Sequence, residues 1–166
     1  IENNQIYGLR YKIAESFFND IYEKKYAVIK GHCLSMQAYN NSHQRNSTDI
    51  DILISKNDLS YFEKILIQNQ FKIISSSRHD RIFYISSSHQ IPPYIKGMVE
   101  IDINFDILWG EYIGKRINIS EFISDTIEMG IYGCRVKTLS PLKAMIQLVL
   151  HHYKDLNSMF LLATRK

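Results

Sequence analysis

The chain has 166 residues, 45% of them hydrophobic and 22% charged, and a net charge of +3. That composition suits one globular domain with a full core and excludes a disordered chain. The positive charge suits an anionic substrate but falls far short of the basic stripe of a dedicated nucleic-acid binder.

Leu9, Ile13, Phe17 and Ile21 recur every four residues and predict a helix over about residues 8–24. Tyr26, Ala27, Val28 and Ile29 form a short buried strand, ended by Lys30, Gly31 and His32. Residues 33–39 form a short helix, broken at Asn40, Asn41 and Ser42. A strand over residues 49–54 follows. Asp58 is placed to cap a helix whose Phe62, Ile65 and Leu66 face the core. Residues 71–74 and 81–85 read as strands separated by a turn at Ser75, Ser76 and Ser77, and residues 86–93 as a loop with two prolines. Residues 98–107 alternate strongly, with Val99, Ile101, Ile103 and Phe105 on one face and Glu100, Asp102, Asn104 and Asp106 on the other. Residues 131–136 form another strand. Ser140 and Pro141 then open a helix to about Tyr153, with proline at the first position that capping favours. This mixture, with consecutive strands in the middle, predicts an α/β or α+β sheet domain.

Cys33 and Cys134 are too far apart for a zinc or disulfide framework and read as small apolar residues in a reducing, cytoplasmic protein. Trp109 and the tyrosines are expected to pack in the core. His151 and His152 have no ligand partner at metal spacing and read as surface or core histidines. No apolar run reaches membrane-spanning length, so no membrane partner is expected. The chain begins at Ile1 and ends at Lys166 within a helix-like pattern, which reads as a piece of a longer protein.

The stretch from Arg45 to Ser55 is a polar loop running into an apolar strand. Alternate side chains of a strand share a face, so Asp49 and Asp51 point the same way, about 7 Å apart at ~3.3 Å per residue. Two like charges at ~4 Å repel by roughly 4 kcal/mol at an effective dielectric of 20. Water can screen such a pair, or a hard divalent cation with oxygen ligands can bind between the two. Two aspartates solvated at a strand end are equally compatible with the pattern. Lys30 and Gly31 end a strand and open a helix, where backbone amides and the helix terminus favour a phosphate. A plain turn has the same pattern. Glu100 and Asp102 supply a second acidic pair, and a third carboxylate beside Asp49 and Asp51 would complete a metal site.

The succession of Lys30-Gly31, Arg45 to Asp49-Ile50-Asp51, and Ile101-Asp102-Ile103-Asn104-Phe105 resembles the nucleotidyltransferase superfamily that includes polymerase β. It is most similar to an uncharacterised family within it that carries Lys-Gly and Arg-x-x-x-Asp-Ile-Asp motifs. Leu139-Ser140-Pro141, with the helix carrying His151 and His152, is similar to that family's later helical segment. The resemblance implies a polymerase-β-like sheet flanked by helices, with a catalytic domain over residues 1–138 and the start of a C-terminal helical segment over 139–166. It implies Mg2+ or Mn2+ held by Asp49, Asp51 and Asp102, with Asp102 as base. Lys30, Gly31, His32, Arg45 and Ser47 would hold a nucleoside triphosphate. The nucleoside monophosphate would pass to an acceptor hydroxyl on a small molecule, a protein or a tRNA. Two positions depart from the family pattern. His32 replaces a usual Ser or Gly, where a ring either hinders a phosphate or donates to it. Asn104-Phe105 replaces His-Trp. Glu100 shares the face of Asp102 and rivals it as third carboxylate. Two further readings are a catalytically silent nucleotide-binding or interaction module, which His32 favours, and a structural domain of a larger protein.

Overall fold

The structure is a computed structural model and describes residues 2–42, 44, 47–74, 78–108 and 116–163. Arg45, the serine turn at 75–77 and Trp109 lie outside the described residues. Helix α1 (Glu2–Ile21) leads into strand β1 (Tyr26–Ile29), helix α2 (Gly31–Tyr39) and strand β2 (Asp49–Ile54). A 3-10 turn (Lys56–Asp58) opens α3 (Leu59–Gln68), followed by β3 (Lys72–Ile73), α4 (Arg78–Ser87), β4 (Tyr94–Lys96) and β5 (Val99–Asn104). The chain continues through α5 (Ile119–Phe122), β6 (Ile127–Ile131), β7 (Cys134–Thr138) and α6 (Pro141–Ala163). The strands form one mixed sheet in the order β3-β4-β5-β2-β1-β7-β6.

The two-residue period of the strands sends apolar side chains to both faces of the inner sheet. On one face Val28, Ile50, Ile52, Ile54, Ile101 and Ile103 pack with Phe17, Phe18 and Ile21 of α1 and Phe62 and Leu66 of α3. Fully burying a side chain such as Phe17 contributes about 1.5–3 kcal/mol. On the other face Ala27, Ile29 and Leu53 pack against Ile119, Ile123, Leu139 and Ala144, so the first turns of α6 lie on the sheet. Helices therefore cover both faces of a mixed sheet, the α/β class expected from the sequence. Among the described residues no helix is long and apolar enough to cross a membrane.

Several local expectations are corrected. Helix α1 starts earlier than expected, and Leu9, the first residue of its supposed core stripe, is 52% exposed. Residues 81–85 belong to a helix, α4, and not to a strand. The run Ile82-Phe83-Tyr84-Ile85 is too short to carry a period that separates the two. As a helix it turns Ile85 toward the core and leaves Ile82 and Phe83 exposed. The hydroxyls of Ser86 and Ser87 donate to the Phe83 carbonyl from its last turn. Strand β4 lies just after the loop expected at 86–93, in a stretch given no strand by the sequence, and pairs with β5 through a two-residue turn whose Gly97 has φ 59. The strand expected at 131–136 is instead a hairpin of β6 and β7, turning at Tyr132 (φ 59) and Gly133 (φ 76). Two positive φ values in succession give a turn whose twist matches the flanking strands. Helix α6 runs on to Ala163, past the expected end near Tyr153. Cys33 is buried as expected, while Cys134 is only half-buried.

Candidate active site

Strands β2 and β5 are parallel neighbours in a register that sets Asp49 opposite Glu100 and Asp51 opposite Asp102. Alternation along each strand turns all four acids to the same side of the sheet. One carboxylate oxygen from each of Asp49, Asp51 and Asp102 lies within 4.8 Å of the others. Glu100 is not part of that group.

Each of the three acids has a different setting. Asp51 is buried, and its Oδ1 accepts from Lys30 Nζ at 3.2 Å and from Asn104 Nδ2 at 3.3 Å. Antiparallel pairing brings the lysine there, because Ile29, the residue before it, stands opposite Asp51. Asp49 is half-buried, and Ser47 Oγ lies 3.1 Å from its Oδ1 and 3.0 Å from its carbonyl oxygen. Asp102 has a buried Oδ1 with no hydrogen-bond partner among the described residues. Burial, and then the charges of Asp51, Glu100 and Asp49, push its carboxyl up to about 7, with Lys30 pulling the other way.

The turn from β1 into α2 is conformationally costly. Lys30 has φ 58 and ψ −150, a region that only glycine visits without strain. Gly31 follows at φ 45, and a Cβ on it would meet Ser47 Oγ at 3.0 Å. Glycine is therefore required twice over, by its backbone angle and by the closeness of the loop that carries Ser47. The first bond of α2, from Leu34 N to Lys30 O at 3.0 Å, holds the turn from the helix side. The strain sets Lys30 beside Asp51 and opens α2 next to the acids.

The structure thus places Asp49, Asp51, Asp102, Lys30, Gly31 and Ser47 around one spot. His32 sits in the same turn, but its side chain is buried, only 1% exposed. Its ring packs edge-on against Tyr11 and Tyr132, with Nδ1 3.4 Å from the Tyr132 hydroxyl. The ring is thereby directed into the aromatic cluster on α1's side of the sheet. Arg45 lies outside the described residues. Asn104 escaped the sequence reading as a site residue. Its one signal was its place two residues after Asp102 on the same polar face.

The acids fit a divalent cation by their chemistry. Three carboxylates converge, and one buried oxygen of theirs has no donor among the described residues to satisfy it. An oxygen buried in that state is costly until something positive or donating reaches it. Oxygen-only ligands suit a hard ion such as Mg2+ or Mn2+ over a softer one.

The chain is similar in fold to a crystal structure from Thermotoga maritima that is provisionally designated a nucleotidyltransferase. The two share 15% identity and a TM-score of 0.62, over 93% of this chain and 92% of that one. No curated protein matches the chain. A family model described as "Uncharacterised nucleotidyltransferase" matches residues 12–162, which include both acidic strands and the Lys30-Gly31 turn. The chain therefore belongs to this uncharacterised nucleotidyltransferase family.

Proposed function

We propose that the protein transfers a nucleoside monophosphate from a nucleoside triphosphate to an acceptor hydroxyl, with a divalent cation held by Asp49, Asp51 and Asp102. The convergence of these three carboxylates within 4.8 Å carries the reading. Mg2+ or Mn2+, when bound, supplies charge stabilisation for the phosphates and the attacking oxygen. Asp49 and Asp51 are its ligands at the strand mouth. Asp102 is the third ligand, and its carboxylate takes the proton of the acceptor hydroxyl. That oxygen then bonds to the α-phosphorus, and pyrophosphate leaves with the electrons of the broken P–O bond. Backbone amides of Gly31 and His32 at the start of α2 receive phosphate oxygens, where the helix terminus favours negative charge. The Ser47 hydroxyl and the Lys30 ammonium stand beside Asp49 and Asp51 and add donors there, and the family resemblance assigns Arg45 the same role. Catalysis rests on positioning and on electrostatic stabilisation of the transferring phosphoryl group.

The buried ring of His32 supports an open path to those amides, which weakens the case for a silent module. The modest net charge of +3 suits a small-molecule or protein acceptor better than a long RNA. Two free cysteines, one of them buried, suit a cytoplasmic setting.

The test is incubation of the purified protein with α-labelled nucleoside triphosphates, Mg2+ or Mn2+, and a cell extract. Label should move to an acceptor in a metal-dependent way, and Asp51→Asn should stop it. Nucleotide binding without transfer by any triphosphate would favour the silent module instead.

A further inference from the structure

We propose that Arg10, on helix α1, is a positioning residue that sets the acid-bearing loop for metal binding; the inference rests on the reading just given. Arg10 lies ahead of residues 12–162, the part that the family model matches. Its Nη1 donates to the Ser47 carbonyl at 3.1 Å and its Nη2 to the Thr48 carbonyl at 2.5 Å. These two carbonyls belong to the residues directly before Asp49, where β2 has not yet begun. Backbone oxygens at a strand entrance need partners, and the guanidinium supplies one to each of these two. The planar guanidinium offers two N–H groups in a fixed fork, which matches two successive carbonyls as a flexible ammonium cannot.

The consequence for the site follows from what lies on the other side of the loop. Ser47 Oγ reaches both the carbonyl and the carboxylate of Asp49. Gly31 leaves just enough room for that hydroxyl, since a Cβ there would stand 3.0 Å from it. Arg10 thus grips the backbone of Ser47 while the side chain of Ser47 grips Asp49. Helix α1 is itself anchored in the core through Ala14, Phe17 and Phe18. The rigid helix, the guanidinium, the loop and the first metal ligand form one mechanical chain. Partners that orient a ligand in this manner typically change metal affinity by ~10–100-fold when removed.

The experiment compares wild type, Arg10→Lys and Arg10→Met in metal-free full-length form, titrated with Mn2+ alone by calorimetry and by the loss of the free-Mn2+ spin-resonance signal. Melting curves set a working temperature at which all three are folded. Arg10→Met should bind Mn2+ about tenfold or more weakly, and Arg10→Lys should fall between it and wild type because one donor and the charge remain. At any given Mn2+ concentration the metal should raise the melting temperature of Arg10→Met less than that of wild type, as mass action requires of a weakened site. If both folded variants bind Mn2+ as wild type does, Arg10 has no positioning role and the proposal is overturned, with the metal site intact. If Arg10→Met does not fold, Arg10→Lys decides the matter by the same comparison. Failure of wild type itself to bind Mn2+ would overturn the metal-site reading and this inference with it.

Discussion

Asp51 and Asp102 stand directly opposite each other on the parallel strands β2 and β5, and among the described residues only Asp51 is provided with donors. Asp51 Oδ1 is held by Lys30 and Asn104, while the buried Oδ1 of Asp102 has no hydrogen-bond partner among them. The pair is therefore asymmetric. One acid is held by two donors, and the other keeps a buried oxygen that none of the described residues satisfies. Sites that give up stability in this way are typical of function, because the same groups in a purely structural role would have been paired or replaced.

That asymmetry predicts opposite behaviour for two acids on one strand. Asp102→Asn removes the repulsion with Asp51 and Asp49, so the metal-free variant should melt higher than wild type. A gain of ~1 kcal/mol corresponds to roughly 2–4 °C for a chain of this size. The same variant should lose its thermal response to Mn2+. Glu100→Ala should keep that response, because Glu100 is outside the converging group. Differential scanning with and without Mn2+ checks both, and a Mn2+ response kept by Asp102→Asn but lost by Glu100→Ala would move the site two residues along β5.

The pH dependence of stability has a definite sign. Burial and neighbouring acids push the Asp102 carboxyl up to about 7 in the folded protein, against ~3.9 for an unfolded aspartate. Between those values the folded state holds a proton that the unfolded state has released. The contribution of this group to stability therefore grows as pH falls through about 7 and is lost as pH rises again. Melting temperatures of the metal-free protein between about pH 8 and about pH 5 should show it as the difference between wild type and Asp102→Asn. Parallel curves for the two proteins would count against a raised carboxyl.

Lys30 carries charge and strain at once, and two substitutions separate them. Lys30→Ala and Lys30→Gly both remove the ammonium from Asp51. Only glycine relaxes the backbone at φ 58 and ψ −150. Relief of such a conformation yields ~1–3 kcal/mol, offset by the ~0.5–1 kcal/mol that glycine loses through the freedom of the unfolded chain. Lys30→Gly should therefore be the more stable of the two by about 1 kcal/mol or more in urea denaturation. An alanine variant as stable as the glycine variant would show that this turn holds no strain.

The sequence by itself determined the α/β class, the inner strands, the Asp49-Asp51 pair at a strand mouth and the Lys30-Gly31 turn. These are local patterns: a two-residue alternation, a four-residue stripe, a glycine between a strand and a helix. The same local rules failed where a segment carries too few residues to show a period, as in α4, or where a turn lacks its usual residues, as at Tyr132-Gly133. Tertiary structure alone decided which acid of β5 joins the pair on β2. Glu100 and Asp102 share one face, and the convergence of carboxylate oxygens across the β2–β5 register tells them apart. It also decided that the His32 ring points into the core, because the β6–β7 hairpin carries Tyr132 over it. Asn104 on Asp51 and Arg10 on the Ser47–Thr48 carbonyls are decided in the same way. Such contacts join residues far apart in the chain, and packing and strand register, not neighbouring residues, set them.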